Sequence, residues 1–288
     1  MKAGVPTTDA AAIASLAART RAVRAATVRM AHDGKTPHVG SALSAVDILV
    51  ALYFHAMRIG NPTTPAPDDD VFILSKGHGC MSYYATLAER GFFPASLLAS
   101  YAQNGGALPE HPTPGRIPGV RVATGSLGHG LAIAAGMAHA RALDGRPGRV
   151  FTLLSDGECN EGSVWEAAMF AAGRRLDRLV VIVDYNKLQA MGRSDEVTAL
   201  APLADKWRAF GFGTREIDGH DLPAVVAALD AVPYESDRPN AIVAHTVKGK
   251  GVSFMEDDLE WHYRPPNDAD LERALAELDR AASEPASS

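Results

Sequence analysis

The chain has 288 residues, 47% hydrophobic and 22% charged, the balance of a globular protein that buries a sizeable core. A net charge of −6 argues against a nucleic-acid surface, and two cysteines, Cys80 and Cys159, exclude a disulfide framework or a Cys-rich zinc site. The N-terminus has no apolar signal region, no apolar run reaches the ~18 residues of a membrane span, and a reducing cytoplasm is the expected compartment.

Residues 9–31 are Ala-rich with helical spacing, and Thr7, Thr8 or Asp9 are candidate caps. Gly34–Gly40 reads as a loop, Ala45–Met57 as a buried helix, and Asn61–Asp70 as an exposed connection. A strand over Val71–Leu74 ends at Ser75-Lys-Gly-His-Gly79. A helix runs on to about Arg90, with a shorter one near Pro94–Gln103. Gly105–Thr124 is a long Gly- and Pro-rich loop, a length usually tied to function. Gly125-Ser-Leu-Gly-His-Gly130 opens a helix to about Leu143. It lacks a full GxGxxG pattern and follows a loop, which disfavours a nicotinamide site.

The next unit carries the strongest signal. Asp156-Gly157 ends the apolar run Phe151–Leu154, and Asn186 ends the run Leu179–Asp184. An offset of roughly 30 residues is one strand–helix–strand unit. It predicts that both side chains emerge at the carboxyl edge of adjacent parallel strands. A carboxylate and an amide oxygen there make a hard-oxygen site suited to Mg²⁺ carrying a diphosphate. Asp-Gly alone is a common turn, and an Asn after a strand often caps a helix. The spacing, the flanking strands and Glu161-Gly162 count against that plainer reading.

Further on, a helix near Leu203–Phe210, a strand Thr214–Ile217, a helix Leu222–Leu229 and a strand Ala241–His245 are expected. A loop over Lys248–Asn267, a helix from Asp268 to about Ala282 and a frayed tail from Ser283 to Ser288 complete the chain. The fold class is α/β, a parallel sheet covered by helices on both faces, in one domain over residues 1–288. Of ten histidines, His38, His78, His111, His220 and His262 sit in loops among Gly and Pro, where functional residues concentrate. His32, His55 and His139 fall in helical pattern and read as filler, and His245 is ambiguous.

Together these stretches resemble the amino-terminal, diphosphate-binding half of transketolase, a thiamine diphosphate enzyme. The resemblance runs from about Arg21 to Asn267 and keeps the family's order. It rests on His38-Val-Gly40, Ser75-Lys-Gly-His-Gly79, Glu110-His-Pro112, Thr124-Gly-Ser-Leu-Gly128, Asp156-Gly157 with Asn186, Asp218-Gly-His-Asp221, Lys248-Gly-Lys-Gly251 and Trp261-His262. It implies thiamine diphosphate with Mg²⁺ (Ca²⁺ or Mn²⁺ as alternatives), held by Asp156, Asn186 and the carbonyl of Leu188. Gly157 and Glu158 would meet the diphosphate, with Glu161 bracing the loop and Lys248 nearby. Gly125, Ser126 and Leu127 would hold the aminopyrimidine. His78 and His262 would line the diphosphate and the reacting carbon, while His38 and His111 would face sugar hydroxyls and shuttle protons. The carbon–carbon chemistry belongs to the cofactor.

There are departures. Ser155 stands where the family has Gly, Pro37 and Val39 flank His38 where it has Gly and Pro, and His129 replaces a glutamine. A full transketolase is more than twice as long, and the missing part is the pyrimidine-binding domain. The resemblance therefore implies the amino-terminal subunit of a split transketolase, inactive alone and paired with a carboxy-terminal subunit in a heterotetramer. It would pass a two-carbon ketol group between sugars or sugar phosphates. The alternatives are the alpha subunit of a 2-oxo acid dehydrogenase, which does not usually share the loop histidines, and a 1-deoxyxylulose-5-phosphate synthase.

Overall fold

The computed structural model describes residues 9–283 except Pro65 and Arg116, with side chains as far as Arg280. Five strands make one sheet: β1 (Val71–Leu74), β2 (Val150–Ser155), β3 (Leu179–Tyr185), β4 (Gly213–Asp218) and β5 (Asn240–His245). Their order is β1-β2-β3-β5-β4, and every pairing is parallel. β1, β2 and β3 are buried along their whole length, while β4, at an edge, exposes Arg215 and Glu216. Parallel strands covered on both faces read as unbroken apolar runs, which is why these segments are visible in the sequence.

Successive side chains feed two cores. Phe151, Leu153, Val180 and Ile182 face one; Val150, Leu154, Val181 and Val183 face the other. The first core is closed by helices α1 (Ala10–Gly34), α2 (Val39–Leu43), α3 (Val46–Ala51), α4 (Cys80–Glu89), α9 (Leu222–Asp230) and α10 (Asp268–Ser283). The second is closed by α5 (Gly130–Leu143), α6 (Gly162–Gly173) and α8 (Leu203–Ala209). A short α7 (Ser194–Val197) lies between β3 and α8 and was not expected from the sequence.

Several expectations are corrected. α1 runs on to Gly34, and Val39 and Gly40 begin a helix rather than ending a loop. The helix expected over Ala45–Met57 divides into α3 and a π-helical turn, Leu52–Ala56. The helix near Pro94–Gln103 is a 3₁₀ segment, Ala95–Ser100. Val39–Ala56 is, by length and composition, apolar enough to cross a membrane, contrary to the sequence reading. It is instead core, 83% buried, because it packs behind the sheet across three separate helical pieces. Asp9 caps α1 by accepting from Ala11 N; the candidate caps Thr7 and Thr8, and the tail beyond Ser283, lie outside the described residues. The Gly105–Thr124 loop holds no helix or strand among its described residues.

Parallel pairing has one consequence for chemistry. It sends Ser75, Asp156, Asn186 and Thr246 out of four neighbouring strands at the same carboxyl edge, where ligands of open α/β sheets bind.

Candidate functional site

A cavity of about 460 Å³ opens at that edge. Asp156 and Gly157 form one wall with Asn186 and Leu188, as the β2 and β3 exits require. Gly125, Leu127 and Glu161 form another. His38, His78, His111, His262 and Lys248 complete it, drawn from four segments far apart in sequence.

The acidic corner offers hard oxygens. Asp156 Oδ1 accepts from Gly157 N at 2.8 Å, and Oδ2 from Lys187 N at 2.8 Å and Ser194 Oγ at 2.7 Å. Burial nevertheless raises its pKa, helped by the nearby Asp184 carboxylate. Asn186 Oδ1 accepts from Leu188 N at 3.1 Å. The Leu188 carbonyl faces Lys248 Nζ at 2.9 Å. A carboxylate, an amide oxygen and a backbone carbonyl fit Mg²⁺ or another hard divalent cation, and each keeps lone pairs for one. No cluster of three His, Cys, Asp or Glu among the described residues suits a metal, so a cation here depends on this mixed set.

The histidines pack against one another. His38 meets His262 edge-on with ring centroids 4.8 Å apart and His78 at 5.2 Å; His78 and His262 are 6.1 Å apart. His38 has φ 72°, a left-handed backbone that a residue with a Cβ seldom adopts, and its N–H donates to the His262 carbonyl at 3.0 Å. Its Nδ1 is buried without a protein partner, a position that invites a ligand. Burial, with His111 and Lys248 adding repulsion, lowers His38 to about 4. Burial and Lys248 lower His262 to about 3. Burial and Lys76 push His78 well below the ordinary range. All three rings are therefore neutral near pH 7. Lys248 Nζ donates to His262 Nδ1 at 2.8 Å, and burial brings Lys248 down to about 8.

Two of the sequence candidates do not line the cavity. Ser126 is exposed at the turn before α5. Glu158 points inward: it accepts from Ser75 Oγ, from Gly128 N at 2.9 Å and from Ser155 N at 3.3 Å. Burial raises its pKa against those hydrogen bonds. It ties three loops together behind the cavity rather than facing into it. Ser155, where the resembled family has glycine, joins this arrangement by accepting from Glu158 N at 3.2 Å.

Sequence reasoning missed the ion pair beneath the floor. Lys76 Nζ donates to Asp184, and to the Ser41 carbonyl at 2.7 Å. Burial alone would raise the Asp184 carboxyl, yet Lys76 and the hydroxyls of Ser44 and Thr246 hold it below its usual range. A carboxylate inside the apolar run of β3 was the available signal, since buried charges are almost always paired. Gln189, Ala190 and Met191 also line the cavity, and Met191 is 85% exposed; no pattern in the sequence marked them.

The family model for the transketolase thiamine diphosphate-binding domain matches residues 14–279. The chain is 44% identical over 244 residues to a 6-deoxy-6-sulfo-D-fructose transketolase subunit, SqwG, of Clostridium sp. (strain MSTE9), covering 84% of this chain and 88% of that one. It is 42% identical to an apulose-4-phosphate transketolase subunit of Actinobacillus succinogenes, covering 84% and 87%. Among solved structures, the Campylobacter jejuni transketolase superposes with TM-score 0.82 at 28% identity. A Pichia stipitis transketolase in complex with sedoheptulose-7-phosphate superposes with TM-score 0.85 at 25% identity. The match takes in 94% of this chain in both cases but spans only 43% and 41% of those longer chains. Fold, cavity and sequence agree, and the chain belongs to the transketolase family, matching its thiamine diphosphate-binding domain.

Proposed function

We propose that this chain, as one diphosphate-binding domain, is the amino-terminal subunit of a two-chain transketolase. It would move a two-carbon ketol group from a ketose to an aldose, with the sugars or their phosphates as substrates. The observation that carries this reading is the meeting of Asp156, Asn186 and the Leu188 carbonyl with four loop histidines in one cavity. The two-chain form is supported by matches that run over most of the length of two transketolase subunits. A second polypeptide with a pyrimidine-binding domain would close the open side, two copies of each making the enzyme. Two buried, unpaired cysteines suit a cytoplasmic protein.

Thiamine diphosphate, when bound, supplies the cleavage and formation of the carbon–carbon bond. The chain's own residues hold and orient it. Asp156, Asn186 and Leu188 would grip Mg²⁺, with Ca²⁺ or Mn²⁺ as substitutes, and the Gly157 backbone lets a diphosphate approach. Gly125 and Leu127 would seat the aminopyrimidine. His38, kept neutral by burial, and His111 would take protons from sugar hydroxyls and return them, while His78 and His262 keep water from the reacting carbon.

The test is an assay of the purified chain with thiamine diphosphate, Mg²⁺ and a ketose–aldose pair, with and without the partner. Ketol transfer should require both chains. Robust turnover by this chain alone would refute the two-chain reading, and failure of the complete pair on any ketose would refute the activity.

A further inference from the structure

His220 lies outside the cavity, yet its ring joins two elements that shape it. Nδ1 is 2.7 Å from Asp47 Oδ2 on α3, and Nε2 accepts the Val247 N–H at 2.8 Å. The imidazole is 12% exposed and the Asp47 side chain 6%. A backbone amide can only donate, so Nε2 carries the lone pair and the proton sits on Nδ1, directed at Asp47. Arg24 completes the arrangement from α1: Nη2 donates to the same Asp47 Oδ2, and Nε donates to the Lys250 carbonyl at 3.0 Å. Burial would raise Asp47, but Arg24 and His220 hold its carboxyl below the ordinary range.

Both ends of the Val247–Lys250 segment are thus fastened to one buried carboxylate. Between them, Lys248 extends to the Leu188 carbonyl and to His262. The local sequence Asp218-Gly-His220 serves this placement. Asp218 Oδ1 accepts from His220 N at 2.8 Å, and Gly219 N donates to the His245 carbonyl at 2.7 Å. A Cβ on Gly219 would lie 2.6 Å from Thr246 Cγ2, so only glycine lets the corner after β4 press against the end of β5.

We propose that His220, fixed by Asp47 as the Nδ1–H tautomer, is a positioning residue that sets the Val247–Lys250 segment and so aims Lys248 at the Leu188 carbonyl and His262. The proposal rests on the reading of this cavity as a thiamine diphosphate site. Removing such an outer support of a metal site typically costs roughly 10- to 100-fold in affinity.

The test compares His220→Asn and His220→Gln in the full chain paired with its carboxy-terminal subunit, by titration calorimetry with thiamine diphosphate and Mg²⁺. The Asn amide reaches Asp47 but stops short of Val247, whereas the Gln amide oxygen sits where Nε2 does. His220→Asn should weaken binding roughly 10- to 100-fold, and His220→Gln should restore most of it. Equal loss in the two variants, or wild-type affinity in His220→Asn, would overturn the proposal. If the unsubstituted pair of subunits does not bind the cofactor, the cavity reading fails. The tautomer is then decided on the free chain by ¹⁵N shifts of labelled histidine: Nδ1–H at His220 supports the relay, and Nε2–H overturns it.

Discussion

Two sets of buried polar groups, one at each edge of the sheet, are handled in opposite ways. At the amino edge, Asp70 is sealed and saturated. Its carboxylate accepts from Arg149 N at 2.7 Å, Arg149 Nε at 3.1 Å, Arg149 Nη2 at 2.7 Å and Arg58 N at 2.9 Å. At the carboxyl edge, His38 Nδ1 and Gln189 Nε2 are buried beside the cavity with no protein partner, and three histidines are neutral through burial. A saturated carboxylate locks strand starts together. An unsaturated edge leaves hydrogen-bonding capacity for something outside the chain.

Substitutions can separate these roles. Asp70→Asn strands the Arg149 guanidinium and should cost about 3–5 kcal/mol in a denaturant melt while leaving thiamine diphosphate affinity unchanged; a loss of affinity with intact stability would reverse the contrast. Asp156→Ala should do the opposite, weakening cofactor binding by more than about 100-fold, beyond the usual effect of an outer-shell change. Normal binding would remove the metal assignment. Gly125 has φ +139°, and a Cβ there would sit 2.5 Å from His111 Cδ2. Gly125→Ala should therefore cost about 1–3 kcal/mol and lower turnover with the partner more than cofactor affinity. Unaltered kinetics would show that His111 need not stay where it is.

The smallest effect is a slope. His38 and His262 are held at about 4 and 3, against 6.5 for a free imidazole. As pH falls below 6.5 the unfolded chain takes up protons that the folded chain refuses. Stability is therefore full above that value and is lost towards pH 4. Thermal melts across this window should steepen with acid for the unsubstituted chain and flatten for a His38→Gln, His262→Gln pair. The same slope in both would mean the buried rings are not the source.

Much of this was legible because the physics is local. Strand β1 was visible to the residue, since an apolar run bounded by Asp70 and Ser75 has one reading. Asp156 and Asn186 could be placed because strand period and unit length fix which edge they leave. The orientation of Glu158 was not legible. It stands two residues from Asp156, but a 3₁₀ turn, Gly157–Asn160, turns it away from the cavity. The Lys76–Asp184 pair joins positions 108 residues apart, a distance no periodicity spans. The break of the helix at Leu52 had no Pro or Gly to announce it.

The backbone bond between His38 and the His262 carbonyl has a consequence for synthesis. His38 and His262 meet at the cavity, and Arg24 reaches Lys250, which does not line it. The cavity therefore exists only once the chain has been made through His262, whereas the last strand, β5, ends at His245. Nascent chains stalled after β5 would carry all five strands but lack Lys248 and His262 from the cavity wall.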